Sequence, residues 1–352
     1  MSFSKENIRE ALQNVIHPEF SKNIVELGFV EGLKLEENNV FITLHLPKIN
    51  DPFKNTIEKN CIKAIQQISA DLKVEIKFRN SVVKEKKEVN EDNLSGIKEI
   101  IAVYSGKGGV GKSTIAVNLA VSLANKGYKV GLLDADVFGP SIPKMLGVEN
   151  ENPVSEQHGE KTFIVPVEKF GLKILSVGFF VKPSDPVVWR GPMATSVIKQ
   201  LTSDALWGDL DYLVIDFPPG TSDVHLTLVQ MLKISGAVIV STPQAIALMD
   251  GLKGINMFRK PEINVPILGL VENMAWFTPE NHPDEKYYIF GQDGCKNLAK
   301  QENLNFLGHI PLVQSLQEAG DNGIPIAVNQ ESILGKAFAD LSNEVIKQLK
   351  FK

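Results

Sequence analysis

Short apolar runs and segments of helical periodicity alternate along the chain from about residue 98 to its end. The apolar runs predict six strands, at residues 100–104, 130–133, 174–177, 212–215, 237–241 and 265–271. Helical segments of about 12 to 16 residues lie between several of them. Because these runs lack the alternating polar positions of a strand with one wet face, they predict a mostly parallel, doubly wound sheet with helices on both sides. The pattern therefore predicts an α/β domain over residues 98–352.

A smaller unit with a different pattern comes before this domain. Helical periodicity at residues 5–15 and 53–72, and apolar runs at 40–46 and 73–78, predict a small α+β domain over residues 1–80. Residues 83–93 are charged and nearly free of apolar side chains, so we predict a linker over residues 81–97. An exposed helical turn in that stretch would leave the domain boundary unchanged.

The amino-acid composition limits the classes of protein to which this two-domain chain can belong. Of the 352 residues, 43% are hydrophobic and 22% are charged, which is ordinary for a globular protein in water. The formal net charge of −5 gives no basic field, so we expect no nucleic-acid partner. Residues 1–20 contain no continuous apolar stretch typical of a secretion signal, and no stretch is long enough to span a bilayer. We therefore expect a cytoplasmic protein with no membrane partner.

The clearest chemical signal is a glycine-rich loop after the run at residues 100–104. Eight residues match G-x-x-x-x-G-K-S/T, the pattern of loops that hold a nucleotide's phosphates, and they are Gly106, Lys107, Gly108, Gly109, Val110, Gly111, Lys112 and Ser113. Four of them are glycine, because phosphate oxygens must approach backbone N–H groups that side chains would cover. A strand before the loop and a helix after it complete the expected order. A glycine-rich turn that binds nothing is the alternative.

The polar residues of this loop have predicted roles. Lys112 places a positive charge between the β- and γ-phosphates, so we count it as catalytic, and the Ser113 hydroxyl can ligate Mg²⁺. Thr114 begins the helical segment 114–126, which turns the positive end of a helix dipole toward the anion. We therefore predict that residues 106–114 bind a nucleoside triphosphate.

Acidic residues follow two of the predicted strands. Asp134 and Asp136 come after the run at 130–133, and Asp216 comes after the run at 212–215. A carboxylate just beyond a strand end and near a phosphate loop can hold Mg²⁺ through water or orient an attacking water. The alternative is that these aspartates cap the helices that follow.

A second lysine, Lys107, lies inside the loop, where an ordinary phosphate loop needs no charge. The resulting K-G-G-x-G-K-S resembles the deviant phosphate loop of the MinD, ParA and nitrogenase iron-protein class. In that class the extra lysine reaches across a dimer interface to the partner's nucleotide. The resemblance therefore implies a homodimer in which Lys107 is catalytic, and a solvated loop lysine is the alternative.

Longer segments narrow the resemblance to the Mrp/ApbC-type iron–sulfur cluster carrier ATPases, over about residues 98–345. The segments, in family order, are D-A-D-V-F-G-P-S at 134–141, V-W-R-G-P-M at 188–193, the stretch 210–223 around I-D-F-P-P-G-T, S-T-P-Q at 241–244 and V-E-N-M at 271–274. The resemblance implies ATP hydrolysis with ATP and Mg²⁺ as cofactors, and apoprotein clients. It implies that Asp136 faces the attacking water, that Asp216 holds Mg²⁺ through water, and that Asn273 recognises adenine. Residues 189–192 have no derived role and fit a helix start with Pro192 in its first turn.

The N-terminal unit resembles the small iron–sulfur-assembly domain often fused ahead of these ATPases. H-P-E-F at residues 17–20 and I-V-E-L-G-F-V at 24–30 match its signatures, with His17 in place of the usual aspartate. Where that domain often has a cysteine before a proline, this chain has Asp51. We expect His17 to be a turn residue rather than a metal ligand.

The chain departs from the family at the cluster site. The family has a C-x-x-C pair shortly after the E-N-M segment, so that a dimer supplies the four thiolates of a 4Fe–4S cluster. Here Pro279 and His282 occupy the two positions, and we expect His282 to be a lone, exposed loop histidine. The chain's two cysteines are too few for a disulfide framework or for a metal site of three or four cysteines.

The two cysteines lie in different predicted domains. Cys295 is at the predicted start of a helix, where the helix dipole lowers a thiol pKa and favours metal binding or reactivity. The alternative is a small residue that fills a tight helix start. We expect Cys61 to be semi-buried and structural. The sequence therefore predicts a labile iron–sulfur cluster that uses Cys295, or no cluster.

Two functions follow from these observations. The main interpretation is an ATP-hydrolysing dimer that delivers iron–sulfur clusters to apoproteins. The alternative is a related ATP-switched scaffold or positioning protein without a cluster. A positioning ATPase that binds membranes should end in a strongly basic amphipathic helix, and residues 333–352 are only mildly basic.

Overall fold

The chain forms two compact units in the computed structural model, Met1–Val89 and Asn90–Lys352. The structure describes residues 5–18, 22–36, 39–44, 53–69, 72–78, 94–159, 161–180, 191–221, 223–279, 281–282 and 284–350. Most of the predicted linker and Asp51 lie outside the described residues. Residues 94–96 lead directly into the first strand of the second unit, which begins at Ile97, the last residue of the predicted linker.

Within its described residues, the first unit has two helices, a three-stranded sheet and a pair of two-residue strands. Its elements are α1 (Lys5–Leu12), β1 (Ile16–His17), β2 (Lys22–Asn23), β3 (Val30–Glu36), β4 (Asn39–Leu44), α2 (Lys54–Gln66) and β5 (Lys73–Phe78). In the sheet, β3 pairs antiparallel with β4, and β4 pairs parallel with β5. Buried apolar side chains of α1, β4 and α2 form one core, which includes Cys61. This is the α+β organisation that the sequence predicts.

Three details of the first unit differ from prediction. α1 ends at Leu12, because the N–H groups of the next three residues bond to carbonyls three positions back in a tight turn. α2 ends at Gln66 rather than at residue 72. The prediction that His17 is a turn residue is wrong, because His17 lies in β1 and its buried ring contacts the rings of Phe29 and Phe53 edge-on, each at 5.7 Å.

The second unit is built on an eight-stranded sheet with the order β10-β11-β7-β12-β6-β13-β14-β15. Neighbouring strands are parallel, except that β10 pairs antiparallel with β11. A hairpin of β8 and β9 lies apart from this sheet. The strands of the unit are β6 (Ile97–Tyr104), β7 (Val130–Asp134), β8 (Val154–His158), β9 (Lys161–Val165), β10 (Val167–Lys169), β11 (Leu172–Ser176), β12 (Leu210–Asp216), β13 (Gly236–Ser241), β14 (Ile267–Phe277) and β15 (Phe306–Leu312).

Helices cover both faces of this sheet. They are α3 (Lys112–Asn125), α4 (Ile142–Met145), α5 (Gly191–Ser203), α6 (Asp223–Met231), α7 (Ala245–Phe258), α8 (Gly294–Gln301), α9 (Gln314–Asp321) and α10 (Ile333–Lys350). Residues of α3 and α10 belong to one buried apolar cluster, and residues of α5, α6 and α8 belong to the other. α5 begins at Gly191, so Pro192 is in its first turn as predicted.

Consecutive residues of the central strands point to opposite cores. On β12, Val214 belongs to the cluster with α3 and α10, whereas Leu213 and Ile215 belong to the cluster with α5 and α6. On β7, Leu132 and Leu133 divide in the same way. Since side chains of a strand alternate between faces, apolar residues at every position mean that both faces are buried. The prediction of a doubly wound, mostly parallel sheet is confirmed.

All six predicted strands form, and the largest difference concerns the last one. β14 runs to Phe277 rather than to residue 271, because it pairs with β15. The pattern did not predict β15, since Gly308 and Pro311 interrupt its apolar run. The hairpin β8–β9 was also not predicted, because most of its residues are exposed and its apolar run, at residues 163–165, is only three residues long.

The last helix of the chain is a core element. α10 packs against α3 and β15, and Leu334, Phe338, Leu341 and Val345 on its apolar face are buried. That face is therefore already covered by the protein. Within the part of the chain that the structure describes, no helix combines the length and apolar character needed to cross a bilayer.

Candidate active site

The glycine-rich loop connects the end of β6 to the start of α3, at the carboxyl edge of the sheet. Gly109 and Gly111 both have φ of +81°, in the left-handed region that side chains disfavour. A Cβ on Gly106 would overlap the backbone of Asp250 in α7, so the first glycine of the motif is needed for close packing. The Ser105 hydroxyl donates to the Lys107 carbonyl over 2.9 Å and fixes the loop's first turn.

Lys112 is at the centre of a compact cluster of charges. Its Nζ lies 2.5 Å from Oδ1 of Asp216 and 3.5 Å from Oδ2 of Asp136. The Ser113 hydroxyl donates to Oδ2 of Asp216 over 2.5 Å. The lysine and both carboxylates are almost completely buried. The structure therefore brings together four residues that the sequence assigned separately to phosphate, magnesium and water.

Strand register explains why these acids meet. β7 lies between β11 and β12, and the residues at their carboxyl ends, Ser176, Asp134 and Asp216, are direct partners across the three strands. Asp134 accepts hydrogen bonds from the Ser176 hydroxyl at 2.8 Å and from the backbone N–H of Asp136 at 3.2 Å. The third bond to Asp134 comes from the N–H of Ile142, at 3.3 Å. Through the last two bonds, Asp134 fixes the segment between β7 and α4, which contains Asp136.

Burial and proximity shift the acidities of these carboxyls. Burial, followed by the charge of Asp216, raises the pKa of Asp134 to about 7. Burial also raises the pKa of Asp216, while the ammonium of Lys112 and hydrogen bonds from Lys112 and Ser113 oppose the increase. The two acids lie on adjacent strands and share one neutralising lysine. Extra positive charge at this edge of the sheet, such as a metal ion, would therefore favour their ionised forms.

Asp136 is positioned differently from its two acidic neighbours. It is 8% exposed, and its Oδ1 accepts the N–H of Phe138 over 3.2 Å while Oδ2 faces Lys112. Its carboxylate therefore lies at the boundary between the buried cluster and solvent. This placement is compatible with the predicted contact to an attacking water, which stays a prediction.

Asn273 contacts the loop from β14. Its Nδ2 donates to the carbonyl of Val110 over 2.8 Å, and a Cβ on Gly111 would overlap that amide nitrogen. Its Oδ1 is buried and has no hydrogen-bond partner among the described residues. A ligand that donates a hydrogen bond, such as the amino group of adenine, would satisfy that oxygen. The role of Asn273 in recognising the base is nevertheless a prediction.

Lys107 is the exposed lysine of the loop. Among the described residues, no carboxylate lies within ion-pair distance of its ammonium, in contrast to the buried Lys112. An exposed, unpaired lysine is available to a second molecule, and it is equally what a solvated loop residue would look like. Its cross-subunit role stays a prediction.

The donor groups of the cluster fit the predicted cofactors. Mg²⁺ prefers hard oxygen ligands, and the Ser113 hydroxyl and the Asp216 carboxylate provide two adjacent oxygen donors. The loop provides backbone N–H groups with no side chain over Gly108 or Gly109, since nothing lies within 4 Å of a Cβ built at either glycine. The residues present therefore fit a nucleotide with its magnesium ion.

The environment of Cys295 contradicts the predicted acidity of this thiol. The residue is fully buried at the start of α8, where its N–H donates to Oε2 of Glu272 over 2.7 Å. Burial, followed by the Glu272 charge, raises the pKa of the thiol well above its usual range, so the prediction of a lowered pKa is wrong. A Cβ on the preceding Gly294 would lie 2.5 Å from the carbonyl of Pro243, which fits a small residue in a tight helix start. A role for Cys295 as a cluster ligand stays a prediction.

Cys61 and His282 lie in contrasting environments, one buried and the other exposed. Cys61 is buried, and burial together with the charge of Glu58 raises its pKa to about 12, which fits a structural cysteine. His282 is 63% exposed, as predicted, but its Nδ1 lies 3.4 Å from Oε1 of Glu285, so it has an acidic neighbour. The Trp189–Arg190 pair lies outside the described residues.

Sequence reasoning missed two groups that build the site. Ser176 is one, because only the strand order shows that it faces Asp134. The backbone of α7 at Asp250 is the other, because its contact with Gly106 joins elements far apart in the chain. Asp134 was identified among the strand-end acids but received no role, and its three hydrogen bonds now give it one.

The parallel sheet, the loop between β6 and α3 and its lysine–carboxylate cluster define a P-loop NTPase. Residues 96–346 match the ParA family described as NUBPL iron-transfer P-loop NTPase, and the chain belongs to this family. Residues 5–78 match the iron-sulfur cluster assembly protein family. The resemblance predicted from the sequence is thus confirmed.

Individual relatives cover most of the chain. An iron-sulfur cluster carrier protein of Synechocystis is 41% identical over 335 residues, which are 95% of this chain and 94% of that protein. The iron-sulfur protein required for NADH dehydrogenase in mitochondria of Arabidopsis thaliana is 51% identical over 262 residues, covering 74% of this chain and 82% of that protein. A solved nucleotide-binding protein from Archaeoglobus fulgidus in complex with ADP is 36% identical, with a TM-score of 0.58, covering 71% of this chain and 97% of that one.

Proposed function

We propose that this protein is an ATP-hydrolysing carrier that delivers iron–sulfur clusters to apoproteins. The observation that supports hydrolysis most directly is the contact of Lys112 with both Asp136 and Asp216 beside the Ser113 hydroxyl. The names of the full-length relatives support the cargo.

Each residue of the cluster has one role toward a bound nucleotide. Lys112 would contact the β- and γ-phosphates, where its charge stabilises the developing negative charge. Asp216 and Ser113 would hold Mg²⁺, which would neutralise phosphate charge. Asp136, at the solvent boundary, orients the attacking water. Burial of these groups strengthens each of these electrostatic interactions relative to water.

A homodimer completes this proposal. Lys107 is exposed and has no acidic partner among the described residues, so it is available to a nucleotide held by a second copy. ATP would then close the dimer through Lys107, and hydrolysis would reopen it. A change in affinity for the cluster or the client would accompany that opening.

The cargo is held differently from the family pattern. Both cysteines are buried with raised thiol pKa values, and Pro279 contributes no ligand atom. A cluster at the dimer interface would therefore take at most the Cys295 thiolates, after local opening of α8. Its other ligands would be weaker ones, such as His282, or would come from a client or a small thiol. We propose a cluster that is bound weakly and transferred readily.

A second candidate is an ATP-switched scaffold that carries no cluster. The burial of both thiols favours this scaffold function, because a cysteine thiol must be accessible and deprotonated to bind iron. A membrane-positioning role is less favoured, since the apolar face of α10 is packed against α3 and β15.

Anaerobic reconstitution with iron and sulfide distinguishes the two candidates. For a carrier, we expect iron and sulfide to bind in equal amounts, to be lost partly on desalting, and to pass to an apoprotein that accepts a 4Fe–4S cluster. ATP, but not a non-hydrolysable analogue, should accelerate repeated transfer. Hydrolysis of ATP with no iron bound and no transfer would support the scaffold instead.

A further inference from the structure

Three side chains with metal-ligand atoms meet at the far side of β14 from the phosphate loop. Glu272 of β14 and His309 of β15 are direct partners across the two strands, and Asp293 lies immediately before α8. One ligand atom from each residue lies within 4.8 Å of the other two. The Nε2 of His309 is 3.1 Å from Oδ1 of Asp293 and 3.6 Å from Oε1 of Glu272.

These separations fit a tetrahedral metal ion. Oxygen and nitrogen ligands lie about 2.0–2.2 Å from Zn²⁺, so two ligands of one tetrahedral ion are about 3.3–3.6 Å apart. The separations from Nε2 of His309, 3.1 and 3.6 Å, lie close to that range. An ion could therefore enter with small movements of the side chains, and water would provide the fourth ligand.

The charges of the group also favour a cation. Glu272 is 1% exposed, and burial raises the pKa of its carboxyl, so a cation beside it would stabilise the ionised form. Its Oε2 is already bonded to the N–H of Cys295, which leaves Oε1 facing His309. Two carboxylates with a neutral imidazole carry a charge that one divalent ion cancels. The competing explanation is that His309 acts only as a hydrogen-bond or ion-pair partner of the two acids.

The three side chains indicate which metal ion binds and how it reaches the site from solvent. An imidazole nitrogen suits zinc, cobalt or iron, whereas Mg²⁺ prefers oxygen ligands throughout. The side chains of His309 and Asp293 are 27% and 35% exposed, so an ion can reach them from solvent while Glu272 forms the inner wall. Two paired strands and a helix start hold the three residues, which limits their freedom in the absence of the ion.

We propose that Glu272, Asp293 and His309 bind one divalent transition-metal ion, separate from the magnesium of the nucleotide and from any iron–sulfur cargo. Cobalt(II) is a suitable probe, because its visible absorption reports tetrahedral coordination. Full-length, chelator-treated protein should bind about one Co²⁺ per chain with a strong visible band, and excess Mg²⁺ should not displace it. His309→Gln should weaken binding at least about 100-fold, and Asp293→Asn about 10- to 100-fold.

The control is His282→Gln, because His282 also faces a carboxylate but has only one, Glu285. This variant should bind Co²⁺ as the unaltered protein does. Nucleotide binding and thermal unfolding of the metal-free variants test that each one folds. Thermal unfolding should also shift upward with Zn²⁺ in the unaltered protein and not in His309→Gln.

Three results would overturn the proposal. The first is no cobalt binding by the unaltered protein, which would leave His309 as an ion-pair partner. The second is unchanged binding in a folded His309→Gln. The third is an intense thiolate-to-cobalt band that Cys295→Ser removes, which would assign the ion to the thiol instead of the triad.

Discussion

The phosphate-loop edge of the sheet and the segment that follows β14 are the two regions to which the family resemblance assigns chemistry. At the loop, Lys112 is within 3.5 Å of two carboxylates, and a hydroxyl bonds to one of them. After β14, Pro279 and His282 stand where the family has thiols, and the thiol of Cys295 is buried in the core. At the phosphate loop, the charged side chains contact one another. In the segment after β14, the thiol of Cys295 is shielded from solvent.

The contrast indicates that different parts of the fold position the residues predicted for the nucleotide and those predicted for a cluster. The nucleotide residues come from strand ends and from one continuous loop, so the sheet itself positions them. The cluster thiols of the family belong to a loop after β14, which the sheet does not constrain in the same way. In this chain the phosphate-loop residues are in contact although Pro279 and His282 stand at the positions of the family's thiols. The predictions below test each side of this comparison, starting with the largest expected effect.

Removal of the loop charge should have the largest effect. Lys112→Ala should reduce ATP turnover at least about 10²- to 10³-fold, because it removes a buried positive charge from the transferring phosphoryl group. Asp136→Asn should reduce turnover by about 10²-fold with little change in nucleotide affinity, since it acts on the water. Turnover and nucleotide binding are measured in parallel. Lys126→Ala, at the exposed far end of α3, is the control.

Equal loss of ATP affinity in the two variants would contradict the distinction between them. Asp136 would then support the fold of the loop rather than the reaction. Normal turnover in Lys112→Ala would remove the basis for treating this edge of the sheet as the active region.

Sequence reasoning located the phosphate loop because the motif is contiguous and its glycines have a local cause. It did not find the Ser176–Asp134 contact, because strands far apart in the sequence become neighbours only through the sheet order. The sequence left two interpretations of Cys295 open, a thiol of lowered pKa or a small residue in a tight helix start, and the structure favours the second for a related reason. The rule that a helix start lowers a thiol pKa is local, and tertiary burial beside Glu272 outweighs it.

The second prediction concerns the exposed lysine of the loop. Lys107→Ala should bind ATP about as well as the unaltered protein, because Lys107 makes no ion pair within the described residues. It should fail to form an ATP-stabilised dimer and should lose most of its turnover. Sedimentation with and without a non-hydrolysable ATP analogue measures the dimer, with Lys126→Ala again as control. The same oligomer in both conditions, together with normal turnover in Lys107→Ala, would show that Lys107 is a solvated residue.

The third prediction concerns cluster binding by the segment after β14, where the thiol of Cys295 is buried. After anaerobic reconstitution, the protein should retain a substoichiometric, labile cluster or none, because the buried Cys295 supplies too few accessible thiolates. Cys295→Ser should abolish any retained iron, while Cys61→Ser, whose thiol is in the core of the other unit, should leave it unchanged. Iron and sulfide are determined after desalting. A stoichiometric cluster that survives desalting and persists in Cys295→Ser would contradict the contrast between the two regions.

The smallest expected effect concerns Asp134 and the pH dependence of folding. The pKa of Asp134 is raised from 3.8 to about 7 in the folded protein, so the folded state binds more protons than the unfolded state between these values. The associated stability is fully present below about pH 4 and is lost as the pH rises through about 7. Asp134→Asn removes this titration, so its melting temperature without nucleotide should fall less between about pH 5 and about pH 8 than that of the unaltered protein. The exposed Asp340→Asn is the control, and it should keep the original slope. Identical slopes in all three proteins would mean that Asp134 stays ionised beside Asp216, with Lys112 neutralising both acids at once. The buried cluster would then carry a full set of charges before any nucleotide binds, and the two regions would differ in accessibility alone.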